Sequence, residues 1–534
     1  MKTNINNNIN NNKNRINKTR VVLAALLVAI VAVATILFAL PACENFSEAN
    51  AATTINSAVA QLIADTAAAQ DVPGISVAIV DNGTTRFYSH GYIKAGNGVA
   101  VNEHTSFGLG SVSKAFTALT MLYLDYSNEF NFNITDSLQT HIDWLNFNYS
   151  ANDFNMHEIT IKNLVHHTSG ITNDAHSLRL PPSSGENAAY TIVQKLNGAT
   201  LQFRPGSRYE YGSSNYIILG LVVQNVTGMS FEQFLQQRIL APLGLHNTTT
   251  CVQSATANGG TMASAHSQTW FSSRAFTPPL FTAHIPTGFI NSTASDMALW
   301  LNLQLNSQLA PAPFDYLIQN SQTANTSVAA FDGEIFGMRH NYYYSAGWMI
   351  SACKAHIVHL GESPGFLSAA LVLPQSDKAI IILKNSSSGD VANLMYNITD
   401  YLQYGTIGDI STGSEFRLFD TLFAMIAIAM AAIAMTLLIA IIVSLKNHSK
   451  NSNRKNVVQT QKLKSRAPKI IGLFVALIFT ALATCLMLIF PALFNVGTWA
   501  IANLWISQTV LIGFAATIVV GVLAVVLAVV RIVR

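Results

Sequence analysis

"FGLGSVSKAFTAL", residues 107–119, places Ser111 three positions before Lys114, directly after Gly110, with apolar residues recurring at 116, 119, 122 and 123. That period predicts a helix beginning near Ser111. Residues three apart share a helix face, so the Lys114 amine would stand beside the Ser111 hydroxyl. A serine hydroxyl is a weak nucleophile until a base takes its proton, and lysine can do so only when burial or nearby positive charge lowers its pKa. A helix N-terminus adds backbone amides and a positive dipole end beside an attacked carbonyl. The competing reading is a capping serine followed by a solvated lysine. Spacing alone does not choose between them, because Ser351 to Lys354 ("SACK") and Ser452 to Lys455 ("SNRK") share it.

At 534 residues, 50% hydrophobic and 11% charged, the chain is longer than one typical domain and too apolar to lie wholly in water. The apolar excess sits in four runs: "VVLAALLVAIVAVATILFAL" at 21–40, and residues 418–445, 470–490 and 501–530. Each is long enough to cross a hydrocarbon core of about 30 Å. The first, taken as 21–43, exceeds the roughly 7–15 apolar residues of a secretory signal and is expected to be a transmembrane signal anchor or a signal peptide. "LPAC" at 40–43 is a poor lipoprotein box because of Pro41, and "ANAA" at 49–52 offers a later cleavage site.

Charge sets the expected orientation. The Asn-rich tail 1–20 carries Lys2, Lys13, Arg15, Lys18 and Arg20 without an acid, and the linker 446–469 carries eight basic residues without one. Both are expected on the cytoplasmic side, as is the end bearing Arg531 and Arg534, which leaves residues 52–405 as an extracytoplasmic domain. The net charge of +3 hides this segregation, since residues 21–445 hold 15 basic and 27 acidic side chains. An acidic exterior domain argues against nucleic acid as a partner, and the linker reads as a topology signal that meets membrane lipid. Residues 4–17 are low in complexity and expected to be disordered. The three later runs contain no charged residue except Asp420 near an end, so plain anchoring is expected, with Asn503 and Gln508 as polar contacts between helices. Of four cysteines, Cys251 and Cys353 fall in the exported part, where a disulfide is permitted but not deducible; no spacing resembles a metal site.

Residues 52–405 have the composition of a globular enzyme and enough chain for a large core. "ISVAIVDNGTTRFYSHGYI" reads as a β-hairpin turning at Asn82 and Gly83. Far downstream, "AHIVHLGE", "LSAALVLP" and "KAIIILKNSS" are strand-like. Strands at both ends with helices between predict one sheet built from both termini of the domain and covered by helices.

Six blocks then carry a resemblance: "VPGISVAIVDNG", "TSFGLGSVSKAFTAL", "ITIKNLVHHTSGI", "PGSRYEYGSSNYIILGLVVQNVTG", "GFINSTASDMALWLNLQL" and "VHLGESPGFLSAALVLP". In order and separation they resemble the serine β-lactamase and penicillin-binding-protein superfamily, in particular its class C β-lactamase, D,D-peptidase and esterase branch, over about residues 54–402. The resemblance implies an α/β (α+β) fold, an antiparallel sheet flanked by helices with a helical subdomain. It implies Ser111 as acylated nucleophile, Lys114 as its base and Tyr211 as proton shuttle. "HLG" at His359, Leu360 and Gly361 matches the strand motif written with Lys or His first, whose following amide, that of Glu362, would join the Ser111 amide in an oxyanion hole.

Two positions depart from the pattern. The tyrosine motif usually ends in asparagine two residues on, and here it ends in Ser213, which can still hydrogen-bond Lys114 but holds a substrate amide less well. His359 stands where many β-lactamases have lysine, weakening a fixed charge for a substrate carboxylate. His166 and His167 match a structural block of the family, and Tyr342, Tyr343 and Tyr344 either line the cleft or pack the core. The implied function is a membrane-anchored serine hydrolase needing no cofactor, with D-alanyl cell-wall peptides, esters or β-lactams as substrates and peptidoglycan as a neighbour. The rival reading is a non-hydrolytic membrane sensor that binds such ligands.

Overall fold

The computed structural model describes residues 57–96, 98–150, 154–171, 185, 187–250, 261–279, 281–411, 415–451, 467–493 and 507–532. The expected tail, first apolar run and Cys251 lie outside these residues, as do Ser452 to Lys455 and Asn503. In chain order the strands are β1 (Gly74–Asp81), β2 (Thr84–Gly91), β3 (Thr105–Gly108), β4 (Thr261–Met262), β5 (Ala265–Thr269), β6 (Ser272–Phe276), β7 (Asn291–Thr293), β8 (Phe331–Ile335), β9 (Met338–Ser345), β10 (Trp348–Ser351), β11 (Ile357–Ser363), β12 (Phe366–Leu373) and β13 (Lys378–Lys384). The longer helices are α1 (Ser57–Gln70), α2 (Ser113–Ser127), α3 (Ser213–Thr227), α4 (Ala294–Leu305), α5 (Val391–Tyr404), α6 (Glu415–Asn451), α7 (Ala467–Leu493) and α8 (Gln508–Ile532).

Eight strands form one antiparallel sheet in the order β2-β1-β13-β12-β11-β10-β9-β8. The expected closure from both termini is present: β1 pairs with β13 from Ile75 opposite Lys384 to Asp81 opposite Lys378. The central strands read as nearly unbroken apolar runs because helices cover both faces of the sheet. Side chains alternate between faces, so Ile75, Val77, Ile79, Ile380 and Ile382 pack with Leu62, Ile63, Leu394 and Ile398 of α1 and α5. Ala78, Val80, Ile381 and Leu383 point the other way, into the core shared with Phe116 of α2 and Trp300 of α4.

The β1–β2 turn is the expected one. Asn82 and Gly83 both have positive φ (48° and 73°), as a two-residue hairpin of the primed type requires. Helices α6, α7 and α8 contain the stretches Leu418–Leu445, Lys469–Pro491 and Gln508–Ile532, each long and apolar enough to cross a membrane. They pack where small residues let backbones approach: a Cβ on Gly513 would lie 2.8 Å from the Phe423 ring, and one on Gly521 would lie 2.3 Å from Thr480 Oγ1. Cys353 and Cys485 are free thiols.

One buried charge lies at the β1–β13 seam. Lys384 is fully buried and donates to Gln70 Oε1 (3.0 Å) and the Ser388 carbonyl (3.2 Å). Burial pushes its ammonium from 10.5 down to about 7, with nearby Asp390 offsetting part of the effect. Between those values the unfolded chain binds the proton and the folded chain does not, so this residue makes stability rise with pH across that window. The thermal midpoint of the detergent-solubilised chain should therefore climb more steeply from about pH 7 to 10 in the native protein than in Lys384→Met.

Candidate active site

Ser111 does not cap α2. It sits in a 3-10 turn, Gly110–Val112, and Val112 holds the cap position of α2 without any side-chain bond. From Thr105 to Leu122 every residue is buried except Ser111, which is partly exposed. The fold thus presents a single hydroxyl from an otherwise interior segment.

Two glycines place that turn against β11. Gly110 has φ +52°, and a Cβ there would lie 2.2 Å from the Glu362 backbone nitrogen. A Cβ on Gly361 would lie 2.0 Å from the Leu109 carbonyl oxygen and 2.2 Å from Ser368 Oγ. Ser368 Oγ donates to that same carbonyl at 2.6 Å, pinning the turn to β12 as well. Only residues without side chains allow the Glu362 backbone to come so close to the Ser111 turn.

Lys114 is fully buried, with Nζ 3.0 Å from Ser111 Oγ and 2.7 Å from the Thr287 carbonyl oxygen. Burial alone drives its pKa well below 10.5. Nζ donates to the Thr287 carbonyl and lies within hydrogen-bond reach of the Ser111 hydroxyl, in a setting that disfavours its charged form. Thr287 has no signature in the sequence because it acts through its backbone.

Tyr211 precedes α3, its ring centroid 5.0 Å from Lys114 Nζ. Its hydroxyl is hydrogen-bonded to the side chains of Ser111 and Ser213, and burial pushes it up to about 12 despite them. The phenol therefore keeps its proton at neutral pH. Ser213, the residue in place of the expected asparagine, is the first residue of α3 and shares this cluster.

His359 lies in the same wall, buried and uncharged. Nδ1–H donates to the Leu360 carbonyl (2.6 Å), which leaves Nε2 to accept from the Tyr344 hydroxyl (3.3 Å). Burial, the largest cause, pushes its pKa down to about 3. It supplies no fixed positive charge.

His167, read from sequence as part of a structural block, lies under the tyrosine. Its ring is 4.4 Å from that of Tyr211, 4.5 Å from Tyr344 and 5.1 Å from Tyr216. Nδ1 accepts from the Gly212 amide (3.3 Å) and the Asn215 side chain (3.1 Å), so it positions the backbone immediately after Tyr211. Its positive φ of 55° is the local signal that this loop is held in an unusual shape. Of the three consecutive tyrosines, Tyr344 joins this cluster while Tyr342 packs in the core under α1 and α5. The "SACK" repeat has no such setting: Ser351 ends β10, accepts from the His356 amide (3.0 Å), and Lys354 is exposed in a turn. A cavity of about 540 Å³ opens nearby between Gly108, Phe231, Phe281, Phe289, Ser363 and Phe366, and Ser111, Lys114 and Tyr211 do not line it.

Residues 59–403 match the family model described as Beta-lactamase. The chain belongs to the β-lactamase family. It is 28% identical over 349 residues to Protein flp of Staphylococcus aureus (strain MW2), a match covering 64% of this chain and 66% of that protein. It is 30% identical over 185 residues to Penicillin-binding protein 4 of Amycolatopsis lactamdurans, covering 34% of this chain and 46% of that one. The chain thus spans just under two thirds of the length of Protein flp. The octameric penicillin-binding protein homologue from Pyrococcus abyssi shares the fold with a TM-score of 0.54 at 20% identity, covering 65% of this chain and 77% of that one. The β-lactamase/transpeptidase fold expected from the six blocks is the fold of this chain.

In this family member the glycine contact is the most direct handle on the geometry. Gly361→Ala should lower the rate of Ser111 labelling by an activated ester at least tenfold, because its methyl group must displace the Ser111 turn. Equal labelling rates in both proteins would show that the turn tolerates the shift.

Proposed function

We propose that this protein is a membrane-anchored serine hydrolase that works through an acyl-enzyme at Ser111. The observation that carries the reading is the fully buried Lys114 amine, its pKa lowered by that burial, 3.0 Å from the Ser111 hydroxyl. Tyr211 cannot be the first base, since its phenol is held up at about 12. Lys114 takes the Ser111 proton as Oγ attacks the substrate carbonyl, and the oxyanion is received by the Ser111 and Glu362 backbone amides. Lys114 then gives that proton back by way of Tyr211, hydrogen-bonded to Ser111, to the leaving group, so that both residues return to their starting forms. The same groups then activate water for deacylation.

The substrates proposed are D-alanyl cell-wall peptides or related amides and esters, with the domain outside the membrane and the basic linker 446–469 inside. The likeness to a protein named as penicillin-binding supports the peptide assignment. A second reading, an esterase for substrates lacking a carboxylate, is favoured by one feature: His359 is neutral where a substrate carboxylate would need a cation. Ser213 in place of an amide side chain supports it too. A sensor that binds without turnover has no use for Lys114 and Tyr211 both converging on Ser111.

Intact-mass measurement of the full chain in detergent, with penicillin or an activated ester, tests these readings. The proposal expects a covalent adduct on the native chain and none on Ser111→Ala. An adduct with penicillin favours the peptidase, and one with the ester alone favours the esterase. No adduct from either reagent would overturn the hydrolase.

A further inference from the structure

Asp420 is fully buried near the start of the stretch Leu418–Leu445, where an unsatisfied carboxylate would be costly. It is satisfied by partners from two places. Oδ1 accepts from the Trp270 amide (3.2 Å) and the Ser507 hydroxyl (2.5 Å), and Oδ2 accepts from the Phe271 amide (2.8 Å). Thr509 Oγ1 also accepts from the Trp270 amide, at 3.0 Å. Ser507 immediately precedes α8 and Thr509 lies in its first turn, whereas Trp270 and Phe271 form the tip of the β5–β6 hairpin of the hydrolase domain.

The tip itself is strained. Trp270 and Phe271 both have positive φ (53° and 66°), the geometry that elsewhere in the molecule falls to pairs ending in glycine: Asn82–Gly83, Phe336–Gly337 and Ala346–Gly347. Two bulky aromatic residues in that conformation persist only where the surroundings impose it. Here the imposing group is the Asp420 carboxylate, which captures both successive amides. The half-buried Trp270 and exposed Phe271 also sit at the end of an apolar span, the level where aromatic side chains collect at a membrane surface.

The hairpin leads back to the site. Its strand β5 lies against the β11–β12 turn: the His266 amide donates to the Gly365 carbonyl (3.3 Å), and a Cβ on Gly365 would lie 2.4 Å from that of Ala265. His266 is fixed in turn, its Nδ1–H donating to the Asn385 carbonyl (2.8 Å) and its Nε2 accepting from the Ala95 amide (3.0 Å). Gly365 follows Glu362 by three residues.

We propose that Asp420 is a positioning residue: it locks the β5–β6 hairpin to the C-terminal helices at the membrane surface and thereby braces the Glu362 edge of the site. The helices are then a structural part of the hydrolase rather than a loose tether. The catalytic half of this statement rests on the function proposed above; the joint does not.

Hydrogen exchange of the full chain in lipid nanodiscs tests both halves. In Asp420→Ala, exchange at the Trp270 and Phe271 amides should rise by about ten- to a hundredfold, the loss of bonds to a charged acceptor. Segment 357–366 should lose protection as well, and Ser111 labelling by an activated ester should slow through kcat with KM unchanged. Asp420→Asn, which keeps one carbonyl acceptor, should restore part of each effect. Should Asp420→Ala fail to fold, Thr509→Val removes the acceptor for the Trp270 amide and Ser507→Ala the donor to Asp420 together with an acceptor for the Thr509 amide, and each should give the same changes in smaller measure. Unchanged exchange at the tip overturns the joint. Raised exchange at the tip with segment 357–366 unaffected overturns the bracing. Both are read without any hydrolysis, so an inactive protein would not obscure them.

Discussion

A lysine nitrogen held in a dry pocket is the constraint on which the rest of the site depends. An ammonium placed there would lose its hydration with no acid to replace it, so the folded state favours the neutral amine. The Thr287 carbonyl then orients that amine by taking one N–H, with Ser111 Oγ 3.0 Å from the same nitrogen. In the proposed mechanism, burial would take the place of the carboxylate or second base found in other nucleophile pairs. The helix alone could not achieve this, because an exposed Lys114 three residues from Ser111 would stay charged.

Burying Lys114 requires α2 to be covered on all sides, which explains the architecture around it. The sheet is closed by β1 and β13 from opposite ends of the domain, and α4 and α3 complete the enclosure. Ser111 stays accessible only because it occupies a 3-10 turn ahead of the helix, held off the helix axis by glycine contacts at Gly110 and Gly361. Tyr211 reaches the same point from the start of α3, on a backbone fixed by His167. A chain with bulkier residues at 110 or 361 could keep the fold's core and still lose the convergence.

The fold and the three converging side chains were legible because they occupy ordered sequence blocks with recognisable periods and turns, such as Asn82–Gly83. What escaped notice acts through groups that carry no side-chain signature. Thr287 contributes a backbone oxygen. His167 contributes ring packing and an acceptor to the Gly212 amide, and a neighbouring pair of histidines suggests none of that. Asp420 is visible in the sequence only as the one charged residue near the end of an apolar run, since the pattern of a span says nothing about what meets its end. Its partner, a turn made of Trp270 and Phe271, lacks the glycine that marks such turns elsewhere in this chain. The neutral state of His359 likewise carries no sequence signal, being set above all by burial.

The most direct test of the account is the pH dependence of Ser111 acylation by an activated ester, measured on the full chain beside Lys114→Met. A base whose pKa is lowered becomes competent as pH rises through the lowered value. The rate should therefore climb along a limb well below 10.5, and that limb should vanish, with most of the rate, in a folded Lys114→Met. A native profile that climbs only near the ordinary lysine value, or a variant that keeps the native limb, would contradict the claim that a neutral Lys114 activates Ser111.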